Sequence, residues 1–456
     1  MADRLSYGRG RVRGTQFWRL PHIGRRMFFR HVASALSGYF LLPFGPMETI
    51  EKATVSPIGT AKNCIFILLS GAPSHIDTFD LKEGPWTPAY FNPTSYGDLR
   101  FPQGLMPNLA THLDSIAFVR SVQAWAVAHG IAQTWVQIGR NPVSGLSKIA
   151  PHIGSVVAME LSGNPGDRTL PAFVSLNASD GPGAGYFPPS DAPFYLSPNG
   201  GGLANTTFSG GEAAFDKRYA LKLDIDAELQ ANSPLGPATD EVVQMNLAAR
   251  KLMYNSMVAQ VFTFDQATRV SYGNSSFGNA CITTRNLLRA DLGTRFIQIS
   301  FGSWDHHVNI YAPNANLQLM ARQFDTGLAA LMADLKQDGT LDQTLIVALG
   351  EFGRTVGALN QNNGRDHHVQ QAALFAGARV RGQRAIGSTD PLGAFVVDPG
   401  WSQQREVKPE DIEATIYSAL GIDWTTVRHD DPLNRGFEYV PTNEPYVFAP
   451  INELWD

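Results

Sequence analysis

Three short, nearly unbroken apolar runs constrain this chain more than any other feature. They lie in "NCIFILLSGAPSHIDTFD" (63–80), "TRFIQISFGSWDHH" (294–307) and "QTLIVALGEFGRT" (343–355), and each breaks off into Ser or Gly and a polar tail. A strand with one wet face alternates apolar and polar residues, whereas continuous hydrophobicity means cover on both faces, as in a parallel sheet. Between the second and third runs, "NLQLMARQFDTGLAALMADLKQDG" (316–339) sets Leu317, Leu319, Met320, Phe324, Leu328, Leu331, Met332 and Leu335 on one stripe. That spacing predicts an amphipathic helix closed by Gly339. Strand, helix, strand is a right-handed crossover. A later helix is predicted over 408–421, with Pro409 in its first turn, acids at its start and Gly421 past its end. The predicted class is α/β, a central, mostly parallel sheet between helical layers.

With 43% hydrophobic and 17% charged residues the 456-residue chain is globular. A net charge of −5 gives no electrostatic ground for a nucleic-acid partner. Residues 160–290 open in a Gly-, Pro- and Ser-rich stretch and continue into a polar helical stretch near 240–269, which reads as an inserted cap beside the sheet. Cys64 and Cys281 are too few for a disulfide framework and are expected as buried thiols.

Residues 4–30 carry eight Arg, and the 31–44 run "HVASALSGYFLLPF" is apolar or small from Val32 onward. A basic leader, an Arg pair and a short apolar run predict an export signal over residues 1–60, followed by a single domain over 61–456. Arg25-Arg26-Met27-Phe28-Phe29 resembles the signal read by the twin-arginine translocase, which moves folded proteins across the bacterial inner membrane. The expected location is periplasmic or extracellular. The apolar run is short for a membrane span. Without a clean A-x-A triplet before Cys64, retention as a membrane anchor is the alternative to cleavage.

In open α/β sheets ligands bind beyond the carboxyl ends of the strands. The first run delivers Ser74, His75 and Asp77 there, the second Asp305, His306 and His307, and the third Glu351 and Arg354. The loop after the third adds Arg365, Asp366, His367 and His368, so four of the 11 histidines fall in two doublets, each directly after an aspartate. Carboxylate with imidazole is the ligand set of zinc, manganese or iron rather than of calcium or magnesium alone. The expectation is one or two divalent ions, zinc or manganese first, held by Asp77, Asp305, His307, Glu351, Asp366 and His367. A pair of ions would suit hydrolysis. Arg140, Arg354 and Arg365 are candidate guanidinium donors to a tetrahedral oxyanion. The competing readings are loop hydrogen bonds for the Asp-His pairs and an ion pair between Glu351 and Arg354.

The segments "LLSGAPSHIDTFD", "GSWDHHVN", "EFGRT", "GRDHH" and "EDIEATIYSALGID" resemble those of the family known as domain of unknown function 1501, over about residues 25–425. The resemblance implies twin-arginine-exported proteins of the alkaline phosphatase and sulfatase superfamily, with a central sheet sandwiched by helices. Sulfatases write C-x-P-S-R followed by L-T-G-R, whereas the similar stretch here, "HGIAQTWVQIGR" (129–140), ends in Gly139-Arg140 and begins with His129 at the nucleophile's place. The Asp that superfamily members place after the first strand is replaced by Ser70-Gly71, with Ser74, His75 and Asp77 as nearest substitutes, and their later D-H or D-N pair becomes Glu351-Phe352, which keeps the acid and loses the second ligand. Asp305 with His307, and His367 or His368, match the remaining ligands. No formylglycine precursor is present. The candidate nucleophiles are therefore metal-generated hydroxide, His129, or Ser74 activated by His75, with Arg354 assisting. His75, Arg140, Arg365 and His368 are expected to bind substrate. Two functions follow. One is an exported metal-dependent hydrolase of phosphate or sulfate esters or related small anionic substrates. The other is an exported non-catalytic binding protein that keeps a metal or oxyanion pocket. Membrane contact is expected only through the N-terminal signal.

Overall fold

The sheet has eight strands: β1 (Asn63–Leu68), β2 (Ile116–Gln123), β3 (Phe173–Leu176), β4 (Phe194–Leu196), β5 (Phe296–Ser300), β6 (Thr344–Leu349), β7 (Gln370–Gly377) and β8 (Arg384–Ile386). They lie in the order β8-β2-β7-β6-β1-β5-β3-β4, and β7 alone runs antiparallel to its neighbours. The computed structural model describes residues 55–456 apart from 146, 164–166, 232–235 and 443–445. The Arg-rich leader and the Arg25-Arg26 pair lie outside the described residues.

Successive residues of a strand point to opposite faces, and here both faces are covered. Ile65, Ile67, Ile297, Ile299, Ile346 and Ala348 enter one core, with α5 (Ser276–Ala290) and α6 (Asn316–Gln337). Cys64, Phe66, Phe296, Leu345 and Val347 enter the other, with α1 (His129–Ile138), α2 (Ile153–Leu161) and α7 (Pro409–Ala419). The two cysteines therefore sit on opposite faces of the sheet, free and buried, and burial pushes both thiols up. The three apolar runs became the adjacent central strands β6, β1 and β5. At α7, Lys408 N donates to Asp411 Oδ2 at 2.8 Å and Gly421 has φ +77°, so the start and stop signals act as expected.

The stretch expected as an inserted cap divides differently. It supplies β3, the edge strand β4, the polar helices α3 (Glu212–Ala231) and α4 (Pro237–Leu252), and the core helix α5. Among the described residues no helix is long and apolar enough to cross a membrane.

Candidate metal centre

β1, β5 and β6 run parallel, so their carboxyl ends open on one side of the sheet. The chain leaves β1 through Gly71, where φ is +98° and a Cβ would stand 2.7 Å from the backbone nitrogen of Asp305. Only glycine lets the loop after β1 lie against the loop after β5 at that distance. The loop after β6 folds back through an antiparallel pairing of Gly353–Arg354 with His367–His368, which sets His367 opposite Arg354. From across the sheet, α1 begins at His129. These four segments assemble His129, Asp305, His307 and His367, whose ligand atoms lie within 4.8 Å of one another.

Each imidazole is tied at Nδ1 to an oxygen outside the cluster. His129 Nδ1 is 2.6 Å from Glu351 Oε1, His307 Nδ1 is 2.8 Å from Asp366 Oδ1, and His367 Nδ1 is 2.7 Å from the carbonyl of Val127. A carbonyl or carboxylate only accepts, so each Nδ1 carries a proton, and in the neutral ring it is Nε2 that offers a lone pair. The three Nε2 atoms point inward, at 3.4 Å (His129), 3.0 Å (His307) and 3.8 Å (His367) from Asp305 Oδ1. His307 Nε2 and His367 Nε2 stand 3.0 Å apart. His129 Nε2 is buried and has no hydrogen-bond partner.

Arg354 secures the tautomer of His307. Its five N–H groups have five acceptors: Nε the carbonyl of Ala72, Nη1 the carbonyl of Arg365 and His307 Nε2, and Nη2 the carbonyl of Gly71 and Asp305 Oδ1. An always-protonated guanidinium donating to Nε2 makes that nitrogen an acceptor. His367 then offers a second lone pair to the first at 3.0 Å. Doubly protonating His367 would relieve the clash, but burial and the nearby charge of Arg354 hold its pKa below the ordinary value. Burial raises the Asp305 carboxyl and Arg354 outweighs it, so Asp305 stays below the usual carboxylate range. His307 and Asn360 hydrogen bonds lower Asp366.

Four acceptors aimed at one point fit a cation. Two nitrogens each about 2.0–2.1 Å from a tetrahedral ion stand roughly 3.3 Å apart, close to the 3.0 Å between His307 Nε2 and His367 Nε2. Imidazole with one carboxylate suits zinc, manganese, iron or copper. Asp305 and His307 side chains are 45% and 38% exposed, so solvent reaches the centre.

The structure brings Asp305, His307 and His367 together, with the candidate catalytic residue His129 among them. Glu351 and Asp366, expected as ligands, face the outer edges of His129 and His307 and orient them. Glu351 is fully buried, and its Oε1 also accepts from Gly71 N at 3.0 Å and Gln133 Nε2 at 2.9 Å. Gln133, on α1, was missed, although its place four residues after His129 puts both on one helical face.

Asp77 is corrected as a ligand: it is buried against Arg365 Nε at 2.8 Å and the Tyr311 hydroxyl at 2.7 Å. Arg365, fully buried, donates further to the carbonyls of Thr355 and Gly357, so it ties loops together and is corrected as an oxyanion donor. Arg140 is likewise corrected, because its guanidinium is buried over the Phe437 ring and donates to the carbonyls of Glu438 and Tyr439. Arg354 has no N–H to spare for a substrate and positions Asp305 instead. Ser74 and His75 form no nucleophile–base pair: His75 Nε2 bonds the Gly393 carbonyl at 2.8 Å, while His75 Nδ1 and Ser74 Oγ have no partner. His368 accepts from Gln370 N at Nδ1 and stacks on His75, away from the four donors.

A family model described as "Protein of unknown function (DUF1501)" matches residues 61–436. No curated protein matches the chain significantly. Among solved structures, a protein in the alkaline phosphatase superfamily from Vibrio parahaemolyticus is similar at 12% identity and TM-score 0.39, covering 81% of this chain and 69% of that one. The C-terminal periplasmic domain of EcEptC from Escherichia coli, in complex with Zn, is similar at 10% identity and TM-score 0.38, covering 82% and 84%. A putative sulfatase from Bacteroides thetaiotaomicron is similar at 10% identity and TM-score 0.39, covering 86% and 75%. Likeness at this level carries no activity from one chain to another.

Proposed function

The chain belongs to the DUF1501 family, and on the chemistry of its four-donor cluster we propose that it is an exported metal-dependent hydrolase of phosphate or sulfate esters or related substrates. The observation that carries the reading is the convergence of three Nδ1-locked imidazoles on Asp305 Oδ1, with two lone pairs 3.0 Å apart. One zinc or manganese ion fits this set.

His129, His307, His367 and Asp305 would hold the ion. When bound, a divalent ion polarises an ester oxygen and acidifies a water molecule at neutral pH. Glu351, Asp366 and the Val127 carbonyl keep each imidazole in its binding tautomer. Arg354, 1% exposed, fixes Asp305 from the protein side and leaves the solvent side open to substrate. The metal-generated nucleophile expected from the sequence needs no side chain beyond these, and neither Ser74 nor Arg354 is placed to act on substrate.

A specific observation favours the second reading, a metal-holding protein without turnover. Four protein donors complete a tetrahedral shell, whereas catalytic zinc centres usually keep three and an open position. Hydrolysis of 4-nitrophenyl esters of phosphate and sulfate by the zinc- or manganese-loaded protein separates the two. The hydrolase reading expects metal-dependent release of nitrophenolate that Asp305→Ala abolishes. Full metal content with no release selects the binding protein.

A further inference from the structure

Resting on the metal reading, the charge around the centre narrows what it accepts: we infer that its ligand is an ester carrying no more than one negative charge, a diester or a sulfate monoester rather than a dianionic phosphate monoester. Three carboxylates surround the centre. Asp305 is itself one of the four donors, Asp366 backs His307, and Glu351 accepts three hydrogen bonds on one oxygen behind His129. Among the described residues, Arg354 is the one cation in direct contact. Carboxylates thus outnumber guanidiniums around the centre, and a second negative charge on the ligand would add to their repulsion.

Among the described segments that build the centre, no cation is free to offset that repulsion. The segments that build the centre, 70–77, 125–133, 303–308 and 351–368, contain no lysine and two arginines, Arg354 and Arg365. Arg354 has spent all five N–H groups on the protein, and Arg365 is fully buried on Asp77, Tyr311 and two carbonyls. Arg140, the third arginine expected to grip an oxyanion, is buried over Phe437. The charges that do face solvent are acidic, since the Asp305 and Asp366 side chains are 45% and 55% exposed. A site built for dianions presents guanidinium forks; this one presents carboxylates.

The test measures binding, so it does not depend on turnover. Zinc content of the purified protein is determined first by elemental analysis, and calorimetry then compares phenylphosphonate, a dianion at mildly alkaline pH, with its monoanionic methyl ester. The expected result is tighter binding of the monoester by about tenfold, with the gap closing in Asp366→Asn, which keeps an oxygen for His307 and removes one charge. Equal or tighter binding of phenylphosphonate overturns the inference, and so does binding of neither probe to a zinc-loaded protein. A protein that takes up no zinc overturns the metal reading and this inference with it, and that result is recorded before any ligand is added.

Discussion

Glu351 shows how much a single side chain decides. It is buried, and one of its oxygens gathers Gly71 N, Gln133 Nε2 and His129 Nδ1. The second oxygen has no partner. Through His129 it fixes which nitrogen faces the other donors. Glu351→Gln keeps the volume but removes the charge that holds the Nδ1 proton, and is predicted to weaken zinc affinity by about 10–100-fold in chelator competition. Asp366→Asn, at an exposed position, should cost less. Unchanged affinity in Glu351→Gln would mean that His129 does not bind the ion. Asp305, His307 and His367 were legible in the sequence because their chemistry singles them out wherever they fall. The role of Glu351 was not, because a carboxylate that binds an ion and one that orients a ligand are the same letter. The same limit applies to the arginines. Nothing in the sequence distinguishes a guanidinium open to substrate from one consumed by carbonyls, which is where Arg140, Arg354 and Arg365 were misread.

At the scale of elements, the central strands and α6 were legible because their hydrophobic pattern is enforced by two buried faces. α3 was not, since its residues are largely exposed and no packing stripe marks it. β3 and the edge strand β4 are four and three residues long and lie in Pro-rich sequence, too short for a period to register. Two buried histidines join elements here and confer a pH dependence. His152 caps α2 by accepting from Gly154 N at Nδ1, and His75 holds the Gly393 loop. Burial lowers His152 to about 3 and His75 to about 4. Both are therefore neutral in the fold, while the unfolded chain takes up protons below the ordinary histidine range. Their contributions, on the order of 3 kcal/mol for His75 and about 5 kcal/mol for His152, are complete above pH about 6.5 and are lost as pH falls toward their folded values. Urea midpoints measured from pH 7.5 down to 4 should fall over that window. His152→Asn, which retains a capping oxygen, should flatten part of the fall. A profile unchanged by that substitution would contradict the assignment.

Over the whole molecule, a sheet covered on both faces delivers three strand ends to one solvent-open cluster, while loops and one helix start supply the remaining donor and the outer oxygens. The twin-arginine route proposed from Arg25 and Arg26 carries folded proteins, which would let the centre be completed before transport. Replacing both by Lys should leave the protein in the cytoplasm, and normal periplasmic accumulation of that variant would refute the route. The central claim is the ion itself, and elemental analysis of protein purified without chelators under metal-replete conditions tests it most directly. The expected result is about one equivalent of zinc or manganese per chain, falling below about a tenth in the Asp305→Ala, His367→Ala double variant. Metal content below about a tenth of an equivalent in the unaltered protein, or the same content in both, would contradict it.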